Sequence, residues 1–344
     1  MGDKKKALVA MSGGVDSSMS AKLLHERGYE THGVYMKLHP FEEKHVANIE
    51  KGRKVAAYFG FAHHVLDKRD EFLEKVYAPF INIYKEGKTP NPCTFCNRHL
   101  KFGALLEFAD SLGCDYVATG HYIKTDGRFF YEAADAKKDQ SYFLFNVRRE
   151  ILKRLIFPLA DRHKPDVKKM AAAIPELAFL ATQRESAEIC FVETDYIDII
   201  GKHFEVEREG EVVDESGKPI GAHRGYMQYT IGKRRGFTVD GAKEPLYVQK
   251  ILPETNQIVV APKDRIYQTT FEIEKTNLFF EPEQKEFRAL IKVRYRNDKK
   301  PGLVAIGENG GAKVTLDEPE FAIASGQAAV FYESDKLLGG GYIV

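Results

Sequence analysis

The sequence has neither an excess of one charge nor a long apolar run. Among its 344 residues, 51 are lysine or arginine and 50 are aspartate or glutamate, so the net charge is +1 at pH 7. A uniformly basic coat is thereby excluded, and any contact with nucleic acid must come from local patches. No stretch approaches the ~20 continuous apolar residues of a membrane span, and no signal-peptide segment precedes the first predicted strand. We therefore expect a cytoplasmic protein that makes no membrane contact.

Cysteine is scarce, with four residues: Cys93, Cys96, Cys114 and Cys190. Four are too few for a disulfide scaffold. The first two form a Cys-x-x-Cys pair just before a predicted helix, whose N-terminus stabilises a thiolate. A zinc ribbon needs a second such pair, which this sequence does not have. The pair therefore predicts thiolate chemistry, whereas composition alone favours Cys114 and Cys190 as buried core residues.

A strand, a glycine turn and a helix follow one another near the start of the chain. Residues 7–11 are a short apolar run typical of a buried parallel strand, and residues 19–28 have helical spacing. Between them, the Ser-Gly-Gly of residues 12–14, the glycine turn, leaves backbone N–H groups free to surround an anion. Asp16 suits the first helical turn, and the hydroxyl of Ser17 is a further donor. This unit predicts a phosphate-binding site, although the lysine of a Walker A loop is missing.

The fold predicted from the pattern is α/β, with a doubly wound, mostly parallel sheet followed by a small central domain and a C-terminal β-barrel. Strands and helices alternate up to about residue 140, which favours a parallel sheet with ligands bound at the carboxyl ends of its strands. A hairpin is predicted over residues 124–131, and residues 153–180 have a helical pattern. Beyond about residue 205, frequent glycines and short alternating strands indicate β structure. The predicted domains are residues 1–204, 205–268 and 269–344.

Several short motifs together resemble a known enzyme family. The Ser-Gly-Gly-Val-Asp-Ser-Ser run resembles the signature of the PP-loop ATP pyrophosphatases, which cleave ATP between its α- and β-phosphates. The whole set, in chain order, resembles the tRNA-specific 2-thiouridylases of the bacterial MnmA type. Its blocks are residues 11–18, 89–97, 101–103, 118–122, 138–144, 186–192 and 231–236. The resemblance implies that the C2 oxygen of a wobble uridine is adenylated and then replaced by sulfur.

The resemblance also implies which residues bind the cofactor, ATP. They surround the glycine turn and the ends of neighbouring strands: Ala10, Met11, Ser12, Gly13, Gly14, Val15, Asp16, Ser17, Met36 and Gly120. Mg²⁺ is expected to neutralise the departing pyrophosphate, with Asp16 as a candidate ligand, directly or through water.

The implied partners are tRNAs of the lysine, glutamate and glutamine type and a sulfur donor, which is a cysteine desulfurase, a relay protein or free sulfide. Asn91, Pro92 and Cys93 would face the target base, and the implied tRNA contacts are Asn91, Pro92, His121, Lys138, Asp139, Gln140, Arg294, Tyr295 and Gln327. Local basic patches lie at residues 233–235 and 292–300. Interleaved Tyr295 is suited to stack on an unpaired base.

The resemblance assigns catalytic roles to the cysteines. Cys96 matches the first catalytic cysteine of the family, and Cys190 matches the second, which receives and delivers a persulfide. Many family members have aspartate where this chain has Cys93. Three cysteines resemble those thiolation enzymes in which three thiolates hold a 4Fe-4S cluster and leave one iron free to carry sulfide. We therefore expect Cys93, Cys96 and Cys190 to be cluster ligands, with a Cys96/Cys190 persulfide as the alternative.

Other functions stay open at this point. PP-loop amidating ligases use the same glycine turn but need no Cys-x-x-Cys pair, and a non-catalytic tRNA-binding or iron-sulfur scaffold would need no ATP turnover. A second departure from the family is that residues 38–50 lack an acidic, cysteine-containing insertion. The missing insertion leaves open how this part of the chain contacts the nucleotide or the sulfur donor.

Overall fold

The computed structural model describes residues 4–183, 189–192 and 194–344. Its first part contains seven strands, named here in chain order. They are β1 (Lys6–Ala10), β2 (Glu30–Lys37), β3 (Ala62–Asp67), β4 (Tyr116–Ala118), β5 (Lys124–Thr125), β6 (Phe130–Tyr131) and β7 (Leu155–Ile156).

The α-helices all lie before the β-rich half of the chain. They are α1 (Val15–Glu26), α2 (Glu42–Phe59), α3 (Arg69–Phe72), α4 (Ala78–Lys85), α5 (Pro92–Cys96), α6 (Leu105–Ser111), α7 (Lys164–Ala172) and α8 (Tyr196–Ile200). Two π-helical stretches, Leu73–Tyr77 and Asn97–Ala104, continue α3 and α5. Short 3₁₀ turns complete the helical structure, the longest being Arg149–Arg154 and Pro175–Leu180.

Five parallel strands form the first sheet, in the order β3-β2-β1-β4-β7. Helices pack on both faces of this sheet. Alternate residues of β1 point to opposite faces and enter two different apolar clusters. Leu8 lies in one apolar cluster, whereas Ala7 and Val9 lie in another. The predicted doubly wound sheet is confirmed, and the carboxyl end of β1 leads directly into the glycine turn.

The predicted helical pattern over residues 153–180 is wrong in its first part. Residues Arg149–Arg154 form a 3₁₀ turn and Leu155–Ile156 form the edge strand β7, which pairs with β4. The Arg154 guanidinium donates to the carbonyls of Cys114 and Asp115 and so fixes this edge. Residues 157–163 contain a turn, and helical structure begins only at α7, whose first turn contains Pro165.

The central part is a five-stranded sheet in the order β10-β9-β8-β12-β11. Its strands are β8 (Gly210–Val213), β9 (Pro219–His223), β10 (Phe237–Val239), β11 (Leu246–Leu252) and β12 (Gln257–Pro262). All neighbouring strands are antiparallel except the β8–β12 pair.

The last part is a closed six-stranded antiparallel barrel, which confirms the predicted C-terminal barrel. Its strands are β13 (Tyr267–Leu278), β14 (Glu286–Lys292), β15 (Lys300–Ile306), β16 (Ala312–Phe321), β17 (Ala328–Glu333) and β18 (Lys336–Ile343). Pairing of β13 with β18 closes it. The predicted hairpin of β5 and β6 adds to the barrel, because Phe130 pairs with Leu337. Among the described residues, no helix is long and apolar enough to cross a membrane.

Candidate active site

The glycine turn joins β1 to α1 in a compact form. Gly13 has a φ of +81°, a conformation that favours glycine. A Cβ on Gly13 would lie 2.9 Å from the Cβ of Asn48, so the turn packs directly against α2. Gly14 has extended backbone angles and precedes the first residue of α1. The turn therefore places backbone N–H groups at the N-terminus of a twelve-residue helix, the arrangement that binds phosphate.

Serine hydroxyls brace the turn from inside. The Ser17 hydroxyl donates to the Gly14 carbonyl at 3.1 Å and accepts from the Ser12 N–H at 3.1 Å. The Ser18 hydroxyl donates to the same Gly14 carbonyl at 2.9 Å. These hydroxyls hold the turn in shape, and the hydroxyl of the exposed Ser12 lies 3.3 Å from that of Ser17.

Gly120 contacts the first turn of α1 at very close range. A Cβ at this position would lie 2.9 Å from the Ser17 nitrogen and 3.0 Å from the Asp16 carbonyl carbon. Only glycine fits without displacing that backbone. The structure therefore places Gly120 beside the glycine turn, and its part in a nucleotide pocket stays a prediction.

Four other residues that are predicted to bind the nucleotide have apolar side chains and lie around the glycine turn. Met11 and Val15 are buried, and Ala10 is half-buried at the end of β1. The Met11 N–H donates to the Val34 carbonyl on β2 at 2.8 Å, which fixes the start of the turn. Met36 is half-buried near the end of β2. All of these residues lie at the carboxyl edge of the parallel sheet, where such sheets bind ligands.

Asp16 has two partners inside the protein. Its Oδ1 accepts from the Tyr122 hydroxyl at 2.8 Å, and its Oδ2 pairs with the Lys164 ammonium. Lys164 lies in the first turn of α7, and its side chain is 11% exposed. This lysine brings to the glycine turn the positive charge that a Walker A lysine would supply. Sequence reasoning missed it, although its His-Lys-Pro context marks the start of a helix.

The cysteine segment (residues 89–97) contains α5. Pro92 occupies the first helical turn, which suits its fixed φ. Cys96 is buried and Cys93 is half-buried. The π-helical stretch Asn97–Ala104 follows at once, a geometry frequent at functional sites.

Lys101 is a cation whose charge lowers the pKa values of all three thiols of the predicted site. Burial raises the pKa of the Cys93 thiol to about 11 and that of Cys96 to about 12, and the charge of Lys101 opposes both shifts. Burial also raises the pKa of Cys190, and Lys101 again opposes it. The Lys-Phe-Gly block of residues 101–103 does not by itself predict this effect of Lys101 on the thiols. Its position makes it the group that would stabilise a thiolate here.

His121 orients Lys101. The Nζ of Lys101 lies 3.4 Å from Nε2 of His121, whose Nδ1 lies 2.7 Å from the Thr119 hydroxyl. Burial keeps the pKa of His121 well below its usual value, so the neutral ring accepts from Lys101 through Nε2. His121 is 7% exposed, and these contacts occupy both of its ring nitrogens. Its predicted contact with tRNA stays a prediction.

Cys190 is exposed, unlike the other two cysteines of the predicted site. Enough protein nevertheless surrounds the thiol for burial to raise its pKa. Its charge also affects the pKa values of Cys93 and Cys96, so the three cysteines lie in one electrostatic neighbourhood. Across the described ranges, however, no group of three His, Cys, Asp or Glu side chains is placed to hold a metal ion. That finding concerns a single ion, whereas the three cysteines of a 4Fe-4S cluster would bind three different irons, so the expected cluster stays a prediction.

Two residues predicted to contact tRNA, Asp139 and Gln140, have hydrogen-bond partners within the protein. The Asp139 carboxylate accepts from the Ala133 N–H at 2.9 Å and from the Ser141 hydroxyl at 2.6 Å. Burial raises its pKa. The Oε1 of Gln140 accepts from the Tyr122 N–H at 3.0 Å. Both side chains hold the loop behind the glycine turn, and their contact with tRNA stays a prediction.

Arg294 and Gln327 likewise hold loops together. The Arg294 guanidinium donates to the carbonyls of Ile231 and Ala322, at 3.0 and 2.7 Å. The Gln327 amide donates to the Thr89 carbonyl at 3.1 Å. Arg294 thus ties the central part to the barrel, and Gln327 ties the barrel to the cysteine segment.

The remaining predicted tRNA residues lie around these loops. Asn91 is buried, and its carbonyl accepts from the Thr94 hydroxyl at 2.8 Å. Tyr295 packs against Phe143, with ring centroids 4.6 Å apart. Lys138 is half-buried.

The two basic patches differ in how many charges they leave available. Lys299 pairs with Glu132 at 2.9 Å, and Lys300 pairs with Glu320 at 3.3 Å. In contrast, Arg234 and Arg235 are exposed, and neither has a hydrogen-bond or ion-pair partner in the described part of the chain. Only the patch of residues 233–235 therefore presents unpaired guanidinium groups.

Solved structures resemble the chain only distantly. A glutamine-dependent NAD+ synthetase from Acinetobacter baumannii has a TM-score of 0.37 and 16% identity, covering 59% of this chain and 38% of that chain. An NMN synthetase from Francisella tularensis has a TM-score of 0.35 and 12% identity, covering 53% of this chain and 67% of that chain. Likeness at this level carries no argument about function.

Family models and curated relatives match almost the whole chain. The models are described as a tRNA methyl transferase HUP domain (residues 5–194), a tRNA methyl transferase PRC-barrel domain (197–262) and an aminomethyltransferase beta-barrel domain (268–343). A tRNA-specific 2-thiouridylase MnmA from a Nitratiruptor species is 56% identical and covers 99% of both chains. Proteins of the same name from Sulfurimonas denitrificans and Campylobacter jejuni are 53% and 50% identical, covering 98% of this chain and 98% and 99% of theirs. The chain therefore belongs to the family of tRNA-specific 2-thiouridylases known as MnmA.

Proposed function

We propose that the protein catalyses the ATP-dependent 2-thiolation of the wobble uridine in tRNA, forming 2-thiouridine, AMP and pyrophosphate. One observation carries the proposal beyond family membership. Gly120 packs against the glycine turn, and the next residue, His121, contacts the lysine that acts on the three thiols. The dipeptide Gly120–His121 thus joins a phosphate site to a thiol site, as adenylation followed by sulfur transfer requires.

In the first step, the C2 oxygen of uridine attacks the α-phosphorus of ATP and pyrophosphate leaves. The glycine turn and the N-terminus of α1 would hold the phosphates. Lys164, beside Asp16, would neutralise charge that develops on the leaving group. Mg²⁺ suits the oxygen ligands of the triphosphate, and because both Asp16 oxygens already have protein partners, we propose that Asp16 reaches the ion through water.

In the second step, a sulfur nucleophile attacks C2 and AMP leaves. Burial raises the pKa values of the Cys93 and Cys96 thiols, and a neighbouring cation opposes that rise and so favours the thiolate. Lys101 is that cation in our proposal. Exposed Cys190 would accept sulfur from the donor as a persulfide, whose terminal sulfur attacks C2. The Cys96 thiolate would then attack the inner sulfur, releasing 2-thiouridine and leaving a Cys96–Cys190 disulfide that a reductant must reopen.

The 4Fe-4S route is the second candidate. Cys93 favours it, because it supplies a third thiol where many relatives have aspartate. The exposure of Cys190 favours the persulfide route, since a sulfur donor can reach this thiol. The two routes differ in one requirement, because only the cluster needs Cys93 as a ligand.

For tRNA binding, we propose that Arg234 and Arg235 contact phosphates near the anticodon. The Thr230 hydroxyl lies 2.5 Å from the Thr89 hydroxyl, so the loop with these arginines adjoins the cysteine segment. The target base must leave its stack to reach the thiols, as enzymes that modify bases require. Because the substrate is tRNA, we place the reaction in the cytoplasm. A cysteine desulfurase or a relay protein would pass persulfide sulfur to Cys190, whereas free sulfide would serve only the cluster route, in which it binds the open iron.

The test combines nucleoside analysis with iron analysis. Unmodified tRNA with ATP and a sulfur donor should yield 2-thiouridine by mass spectrometry in the parent chain, and none with Cys96→Ser or Cys190→Ser. Product in which the uridine carries an amino group would instead support an amidating ligase, and tRNA binding without pyrophosphate release would support a scaffold.

The same preparation, purified without oxygen, decides the sulfur route. Retained activity in Cys93→Ser with no bound iron in the parent supports the persulfide. About four irons per chain in the parent, lost together with activity in Cys93→Ser, would support the cluster instead. Cys114→Ser, a change at a buried core cysteine, is the control for general damage.

A further inference from the structure

A tyrosine of the C-terminal barrel contacts the cysteine segment directly. Tyr342 lies on β18 and is 5% exposed. Its hydroxyl oxygen lies 2.6 Å from the hydroxyl oxygen of Thr94, which stands between the two cysteines of α5. The Tyr342 ring also packs against Phe95, with centroids 5.2 Å apart. A strand near the end of the chain thus touches the middle of the thiol helix.

The direction of each hydrogen bond follows from the donors available. The Thr94 hydroxyl donates its one proton to the Asn91 carbonyl at 2.8 Å, so it must accept from Tyr342. The Tyr342 oxygen in turn accepts from the Asn146 amide at 3.0 Å. A directed chain therefore runs from Asn146 through Tyr342 and Thr94 to Asn91. In such buried chains each bond polarises the next, which makes the geometry stiffer than separate bonds would.

The barrel contacts the cysteine segment at a second point, near Thr89. The Thr89 N–H donates to the Ser325 carbonyl at 2.8 Å. The Gln327 amide donates to the carbonyls of Thr89 and Pro90, at 3.1 and 3.3 Å. A Cβ on Gly326 would lie 2.8 Å from the Thr89 oxygen, so the two backbones are in contact. One loop of the barrel therefore holds the start of the segment, and β18 holds its middle.

We propose that the C-terminal barrel positions the catalytic cysteines and that Tyr342 is the positioning residue. It acts through Thr94 on the helix that carries Cys93 and Cys96, and it does not touch the reacting atoms. The proposal rests on the proposed function in naming sulfur transfer as the step that depends on this geometry. It gives the barrel a part in catalysis besides any contact with tRNA.

The test is Tyr342→Phe in the whole 344-residue chain, which removes the hydroxyl and keeps the ring. Amide hydrogen exchange over residues 89–97 should become about fivefold faster, the factor expected for one ordinary hydrogen bond lost from a local opening equilibrium. Exchange over residues 8–20 should not change. The rate of 2-thiouridine formation at saturating tRNA should fall by a similar or larger factor. The KM for tRNA, and pyrophosphate release without a sulfur donor, should match the parent.

Tyr332→Phe is the matched control, because Tyr332 is also a buried barrel tyrosine but its hydroxyl lies 3.0 Å from Ser141, outside the cysteine segment. It should leave exchange over residues 89–97 unchanged. Parent-like exchange and turnover in Tyr342→Phe would overturn the proposal, as would equal effects in both variants. A rise in the KM for tRNA alone would assign Tyr342 to substrate binding instead. Because hydrogen exchange needs no substrate, the positional claim is tested even if the parent forms no 2-thiouridine.

Discussion

The Lys164 ammonium pairs with the Asp16 carboxylate, although the two residues lie 148 positions apart in the sequence. The pair brings the N-terminus of α7 against the first turn of α1, beside the glycine turn. The carboxylate neutralises the lysine, and the Tyr122 hydroxyl holds the carboxylate in place. An incoming triphosphate would compete with Asp16 for the ammonium.

Lys164→Met should therefore impair the ATP half-reaction and spare tRNA binding. We expect pyrophosphate release to fall about a hundredfold, the scale of losing one preorganised charge at a developing anion. The measurement is pyrophosphate release in a single turnover with tRNA and ATP, alongside a tRNA binding isotherm. Lys169→Met is the control, because Lys169 lies on the same helix but is 81% exposed. A Lys164→Met enzyme that releases pyrophosphate at the parent rate would contradict this role.

Lys101→Met should make the thiols less reactive at neutral pH. The Lys101 charge lowers the pKa values that burial raises at Cys93 and Cys96, so its loss should move the onset of thiolate formation to higher pH. We expect alkylation at about pH 8 to slow about tenfold, as one nearby unit charge would cause. The measurement is the pH profile of iodoacetamide labelling at each cysteine, by mass spectrometry, on iron-free protein.

The control for that experiment is Lys75→Met, since Lys75 is exposed and lies beside Glu74. Its labelling profile should overlay that of the parent. An unchanged profile for Lys101→Met would show that the thiolates gain their stability elsewhere, for example from the N-terminus of α5.

The parts of this site that sequence revealed are those fixed by local chemistry. The glycine turn can be predicted from a short apolar run, two glycines and a helical pattern. Each of these features sets the backbone conformation of residues that are adjacent in the sequence. The Cys-x-x-Cys pair is local in the same sense. In contrast, the partner of Asp16 is set by how α7 packs on α1, and no spacing rule connects Lys164 to residue 16.

The same limit applies to the fold. Alternating strands and helices predicted the parallel sheet, and regularly spaced glycines predicted the barrel. Strand β7 was missed because its two residues, Leu155–Ile156, are too few to show a period and owe their conformation to β4. Pairing of the early hairpin with β18 was missed because strand partners distant in sequence leave no local signal.

Replacing both Arg234 and Arg235 with glutamine should weaken tRNA binding without changing the ATP reaction. Two lost phosphate contacts should reduce the slope of log affinity against log salt by about 1.5, and affinity by about tenfold at low salt. The measurement is tRNA binding across a salt series. Arg265→Gln is the control, because the Arg265 guanidinium already pairs with Glu215 at 3.3 Å. An unchanged salt slope in the double variant would place the tRNA backbone elsewhere on the surface.

His63 should make the fold sensitive to acid. Neither ring nitrogen of this partly buried residue has a hydrogen-bond partner within the described residues, and Gly52 packs against the ring. Burial lowers its pKa to about 4, and the charge of Arg53 adds to the shift. Between about pH 6.5 and 4 the unfolded chain therefore binds a proton that the folded chain does not, so stability is lost as the pH falls through that window. Allowing for partial solvation of the ring, the loss should be about 2 kcal/mol.

His63→Leu removes the titrating group and keeps an apolar side chain in its place. Urea unfolding at a series of pH values should then show a shallower decline between about pH 6.5 and 4 than in the parent. Replacing the exposed His203 with glutamine is the matched control, and this variant should keep the slope of the parent. If His63→Leu declined as steeply as the parent, the acid sensitivity would have to come from other groups, and the unpartnered ring of His63 would have no measurable part in it.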